Sequence, residues 1–220
     1  MYAAKRLYSS SAQALAALPP LEQFLTRAQG EDAYGWRRWA ASLLAIHQPQ
    51  RMIRLDCPWW HVEATREVAA FLAARPGARV FEYGSGASTA WLARRAGEVI
   101  SVEHHADWHR LLSPLVAEFR NAQLWQRELE GQDYIAAINE AGGQFDLIVV
   151  DGRRRIDCLT HALPHLKPGG IVLFFGPGCS VAATAGNPFR EKCGAATLCG
   201  LPALTPGGLF LGLGSRWLNR

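Results

Sequence analysis

Three places in this 220-residue chain hold residue types that can do chemistry together. The first is the run FEYGSGAST at 81–89. Glycines at the end of a strand let backbone approach a ligand, and the free N–H groups of a following helix face anionic oxygen. A dinucleotide fingerprint wants a third glycine at position 89, where this chain has Thr89. Pyrophosphate is therefore disfavoured, and a ligand carboxylate suits the turn better. Taken alone, the same run is also a tight strand-to-helix turn with no ligand. The second place is Glu103, at the end of the next strand-like run. A carboxylate there can accept both hydroxyls of a ribose, where a lone strand-end acid would simply be solvated. The third is Asp151, followed by Gly152 and the triplet Arg153, Arg154 and Arg155. Asp151 can stabilise a positive centre or take a proton from a hydroxyl or amine; its alternative role is to cap the next helix. The arginines can grip an acidic or phosphorylated molecule, or lie on a solvated helix face with one member paired.

The elements that must position these residues follow from periodicity. Strands are expected at 80–83, 99–103, 122–126, 145–151 and 171–175, with helices at 88–95, 105–119, 134–139 and from 151 to about 163. Pro114 marks an expected break or restart in the second of these helices. The turn Lys167-Pro168-Gly169-Gly170 precedes the fifth strand. The runs LIVV and IVLFF are continuously apolar, as parallel strands covered on both faces are. Further on, 195–201 and 209–214 read as an antiparallel pair. Upstream, 11–74 reads as helical, interrupted near Pro19 and Pro20 and again near Pro58. The expected fold is α/β: a doubly wound, Rossmann-like sheet with a terminal antiparallel hairpin and an N-terminal helical cap. The cap would be 1–57 and the main domain 58–220.

Four blocks, VFEYGSGAST, SVEHHADWHRLL, FDLIVVDG and LKPGGIVLFF, occur in this order. Together they resemble the class I S-adenosylmethionine-dependent methyltransferases over about residues 58–175. Pro58-Trp59-Trp60 is similar to a bacterial subgroup of that family whose acceptors are undefined. The resemblance implies a seven-stranded, mostly parallel sheet. It also implies that Glu82, Gly84, Ser85 and Gly86 cradle the methionine part of S-adenosylmethionine and that Glu103 holds the ribose. Tyr83, Ser88 and Thr89 complete the expected cofactor set, with His104 beside the ribose and Asp151 at the active-site edge as the catalytic candidate. Glu128, Glu130 or Asp133 would meet the adenine. The expected activity is methyl transfer to an O or N atom of a small-molecule acceptor. Two alternatives are a non-catalytic binding protein on the same fold and a nicotinamide-dependent oxidoreductase.

Composition narrows the partners. The formal charge of +4 is too small to argue for nucleic acid, and the three clustered arginines leave an acidic acceptor open. The apolar runs are strand-sized, and the N-terminal apolar stretch is broken by Ser9, Ser10, Ser11 and Gln13, so no membrane span or secretory signal is expected, and an ordinary first helix is favoured over an organelle-targeting segment. Five cysteines, an odd number with no C-x-x-C pair, suit reduced thiols and a cytoplasmic protein. A homo-oligomer stays open. His161 and His165 would share a face with Asp157, but Pro164 should end that helix first. Some methyltransferases of the family this chain resembles hold a divalent metal with acids after the fourth and fifth strands. Here the fifth strand runs into Phe175-Gly176-Pro177 without an acid or Asn, so the resemblance implies no metal. Trp36, Trp39, Trp59, Trp60 and His61 can stack on a flat acceptor, although burial for packing is the commoner use of tryptophan.

Overall fold

The computed structural model describes residues 19–45 and 48–176, together with the backbone of 179–184 and 208–211. Five strands form a parallel sheet: β1 (Arg79–Tyr83), β2 (Glu98–Glu103), β3 (Ala122–Gln126), β4 (Phe145–Val150) and β5 (Leu166–Gly176). Their spatial order is β3-β2-β1-β4-β5, so the winding reverses between β1 and β4. The helices between them are α5 (Ala87–Ala93), α6 (Ala106–Val116), α7 (Asp133–Ala141) and α8 (Arg155–Ala162), preceded in the chain by α4 (Val62–Ala73).

Successive strand residues point to opposite faces, and both faces are covered. Phe81, Tyr83, Ile148 and Val150 pack with Tyr134, Ile138 and Leu159 of α7 and α8. Val80, Leu147, Val149 and Leu173 pack on the other face with Val68, Leu72 and Trp91 of α4 and α5. This explains why the strand sequences are apolar without alternation. Open sheets of this kind bind ligands beyond the carboxyl ends of the strands, at the point where the order reverses.

Three local expectations are corrected. Pro114 does not break its helix: α6 continues to Val116. A proline so close to the end removes one hydrogen bond from a turn that is about to finish. The Lys167-to-Gly170 segment belongs to β5 and is no turn ahead of it. Leu166 pairs with Phe145 and Ile171 with Leu147, so the intervening residues form an irregularity that Gly169 (φ 74°) accommodates. The expected hairpin is altered too. Residues 195–201 lie outside the described residues. The backbone that runs antiparallel to β5 is β6 (Cys179–Thr184), and β7 (Gly208–Leu211) pairs antiparallel with β6.

Upstream, α1 (Pro19–Ala28), α2 (Trp36–Leu44) and α3 (Pro49–Arg54) enclose a small core of Leu25, Ala28, Ala41, Ala45, Met52 and Leu55. Arg38 points inward. Its guanidinium donates to the carbonyls of Ala28, Gln29, Glu31 and Leu55 at 2.5–3.2 Å. Those carbonyls lie at and beyond the end of α1 and just past α3, so one side chain joins all three helices. Trp36 and Trp39 face outward, 71% and 63% exposed. Packing was the expected role for them; the inward face of α2 instead uses Arg38, Ala41 and Ser42. Asp56 fastens this assembly to α5 through Arg94 (2.8 Å) and Arg95 (2.5 Å). Among the described residues no helix is long and apolar enough to cross a membrane.

Candidate active site

A cleft of about 670 Å³ opens at the carboxyl ends of β1, β2 and β4. Its floor is a contact between two glycines. Gly84 adopts φ 89°, and a Cβ there would lie 2.7 Å from the Gly152 Cα. A Cβ on Gly152 would fall 2.0 Å from the Tyr134 hydroxyl. Glycine is required at 84 because backbone meets backbone there, and at 152 because the Tyr134 hydroxyl fills the space. Gly152 was read only as the residue after Asp151. The signal for its role lay in its place at a strand end facing the first glycine turn.

Of the expected set, Gly84, Ser85, Gly86, Ser88, Glu103, His104 and Asp151 line the cleft, and Glu82, Tyr83 and Thr89 do not. Glu82, expected against the methionine part, is fully buried beneath the turn. Its carboxylate accepts from the hydroxyls of Ser88 (2.5 Å), Thr89 (2.6 Å) and Ser101 (2.5 Å). Burial pushes its pKa up to about 7 against the pull of those three donors. The Thr89 hydroxyl also accepts from the Gly86 N–H at 3.2 Å. Glu82 therefore shapes the glycine turn from below, through Thr89. Tyr83 is spent differently: its side chain enters the core, and its hydroxyl donates to the Ile135 carbonyl at 2.7 Å.

Glu103 is where the sequence places it, yet only 4% exposed. One oxygen accepts from the N–H groups of His104 and His105, both at 2.9 Å. The other accepts from the Ser85 N–H at 3.2 Å and the Ser85 hydroxyl at 2.9 Å. The His104 Nδ1 lies 3.0 Å from the first oxygen, but its geometry makes no hydrogen bond. Desolvation lowers the His104 pKa and outweighs the opposing pull of Glu103, which keeps the ring neutral at pH 7.

Asp151 does not cap α8; Arg154, at φ 47°, occupies that position. The Asp151 side chain is 40% exposed, and it lines the cleft. The surrounding walls desolvate the carboxyl and push it up to about 6, while Arg155 pulls the other way. Arg155 holds Asp151 in place: it donates to the Asp151 Oδ1 at 3.4 Å and to the carbonyls of Gly152 (2.9 Å) and Phe175 (2.5 Å). Arg154 pairs with Asp157 at 3.1 Å, away from the cleft. Arg153 is exposed on the cleft wall. The triplet thus divides into a clasp, a surface pair and a cation facing the cavity.

Trp59 lines the cleft, with its indole N–H donating to the Ser42 hydroxyl at 3.2 Å. Trp60 is buried against Trp91 and Phe175 instead. The lining residues that escaped sequence reading include Trp108 and Met52. Trp108 reaches back from α6 to donate to the Ser85 carbonyl at 2.9 Å, and Met52 comes from α3. Trp108 carried a readable signal, since the first turn of a helix after β2 points towards the glycine turn. Glu128, Glu130 and Asp133 are not among the lining residues.

Residues 81–174 match the family model described as a methyltransferase domain. The matched span carries the end of β1, all of β2, β3 and β4 and most of β5, with every strand end that forms the cleft. The match spans 94 of the 220 residues, and over that span the chain is similar to methyltransferase domains. Solved structures with similar folds include a putative O-methyltransferase from Klebsiella pneumoniae (20% identity, 76% of this chain and 72% of that one, TM-score 0.45). A putative caffeoyl-CoA O-methyltransferase from Staphylococcus aureus is 14% identical over 63% of this chain and 72% of its own, with a TM-score of 0.46. A methyltransferase-like protein from Silicibacter pomeroyi is 24% identical over 50% of this chain and 71% of its own, with a TM-score of 0.40. No curated protein matches the chain.

Proposed function

We propose that the protein transfers a methyl group from S-adenosylmethionine to an O or N atom of a small-molecule acceptor. One observation carries this reading: a single cleft joins the glycine turn, Glu103 and Asp151 at the reversal point of the sheet. Its volume of about 670 Å³ suits a nucleoside-sized ligand with an acceptor beside it. Bound S-adenosylmethionine supplies an electrophilic methyl carbon on a positively charged sulfur.

The chain's own residues do the rest. Gly84, Ser85 and Gly86 bring backbone close to the ligand, and Glu82 fixes their geometry from below. Glu103 faces the ribose. Asp151, ionised for the most part at neutral pH, stabilises positive charge and accepts the acceptor's proton. Most of the acceleration comes from alignment and exclusion of water, which need a shaped cavity and no further reactive group. Trp59 and Met52 offer an apolar wall for the acceptor, and Arg153 a cation for an acidic one. Residues 1–57 would act as a cap over the domain from 58 to 220, with the antiparallel strands beyond β5 completing a seven-stranded sheet.

Titration calorimetry with S-adenosylmethionine and S-adenosylhomocysteine tests the reading. Both should bind, and Glu103→Ala should weaken both. Absence of any binding by the wild-type protein would sink it.

A further inference from the structure

The Glu103 carboxylate has no acceptor site to spare. A carboxylate offers about four lone-pair directions. Four donors of this chain take them: the N–H groups of His104, His105 and Ser85, and the Ser85 hydroxyl. At 4% exposure the group scarcely reaches the cleft that it lines. Three of the donors are backbone groups fixed by the fold. The fourth turns about a single side-chain bond. The Ser85 main chain cannot follow it, because its carbonyl is held by the Trp108 indole at 2.9 Å.

We infer that the Ser85 hydroxyl is an exchangeable stand-in for a ribose hydroxyl: on ligand entry it swings off Glu103 and yields its acceptor site to the diol. The inference rests on the S-adenosylmethionine reading of the cleft and adds a specificity-determining residue to it. The exchange conserves the hydrogen bonds at the carboxylate but costs Ser85 its charge-assisted one. A serine O–H leaves one carboxylate oxygen, and a ribose O–H replaces it there. The released serine hydroxyl, both donor and acceptor, turns to water at the cleft wall. A ligand lacking that ribose hydroxyl cannot complete the exchange.

This makes an unusual prediction for a residue in a binding site. Ser85→Ala should bind S-adenosylhomocysteine tighter than wild type, by about fivefold, the worth of one net hydrogen bond no longer broken on binding. The same variant should melt at a lower temperature without ligand, because Glu103 loses a donor. Ser85→Cys, with a weak donor, should fall between the two in both measurements. A merely structural serine would give weaker binding together with lower stability. Calorimetry and thermal melts on the full chain read both quantities. Binding by the wild type with unchanged or weaker binding by Ser85→Ala overturns the inference alone. Failure of the wild type to bind overturns the cofactor reading and this inference with it.

Discussion

A single methyl group has no room at Gly152, while two whole indoles on the outer face of α2 stand in solvent. The first region lies where β1 and β4 end and backbone touches backbone; the second is the free side of a cap helix. The contrast shows where this protein is over-determined. Packing is tightest around the small residues of the cleft floor, whereas Trp36 and Trp39 stand clear of the cap's core.

The largest effect should come from filling the floor. Gly152→Ala should destabilise the protein by about 3 kcal/mol, as overpacking of a closed site does. The Tyr134 hydroxyl is the obstacle, and it is buried without a hydrogen-bond partner. Adding Tyr134→Phe should therefore recover part of the loss in thermal unfolding. If the double variant is no more stable than Gly152→Ala, the steric account of the floor is wrong.

Next comes the inner side of the cap. Arg38→Met should cost about 2 kcal/mol, because four carbonyls lose a charged donor and methionine replaces only the apolar stem. Chemical denaturation would measure it, and a loss no larger than that of a surface variant would contradict the stapling role.

A smaller, pH-dependent effect separates Glu82 from its neighbours. Its folded-state pKa of about 7 lies above the ordinary 4.5, so the folded protein binds its proton more tightly than the unfolded chain. Its contribution to stability is greatest below pH 4.5 and declines as the pH rises through about 7. Asp151 adds a decline of the same sign between 3.8 and about 6. Glu82→Gln should remove the Glu82 share, so the difference between variant and wild type should vary with pH across this window. A constant difference from pH 4 to 8 would contradict the assignment. The smallest effect belongs to the outer face of α2. Replacing Trp36 and Trp39 together by serine should change stability by no more than about 0.5 kcal/mol.

The two regions also differ in how far they could be read in advance. The glycine turn, Glu103 and Asp151 were legible because strand ends, turns and helix starts are local patterns that recur along the chain. The tryptophans of α2 were legible as part of a helical stretch but not as to which way they face. Periodicity finds a stripe, and here the stripe that turned inward was the one holding Arg38. Pro114 misled for a related reason: a proline's cost depends on how many turns of helix follow it, and here almost none do.

The parallel sheet and the order of its motifs were already written in the sequence, since each rests on residues close together in the chain. Only the tertiary structure decided that Glu82 lies under the turn and that Gly152 closes the floor. It also decided that Ser85 already occupies Glu103. These are contacts across space between residues on different strands and loops. Whether a carboxylate is free, buried or saturated depends on which donors the fold carries to it.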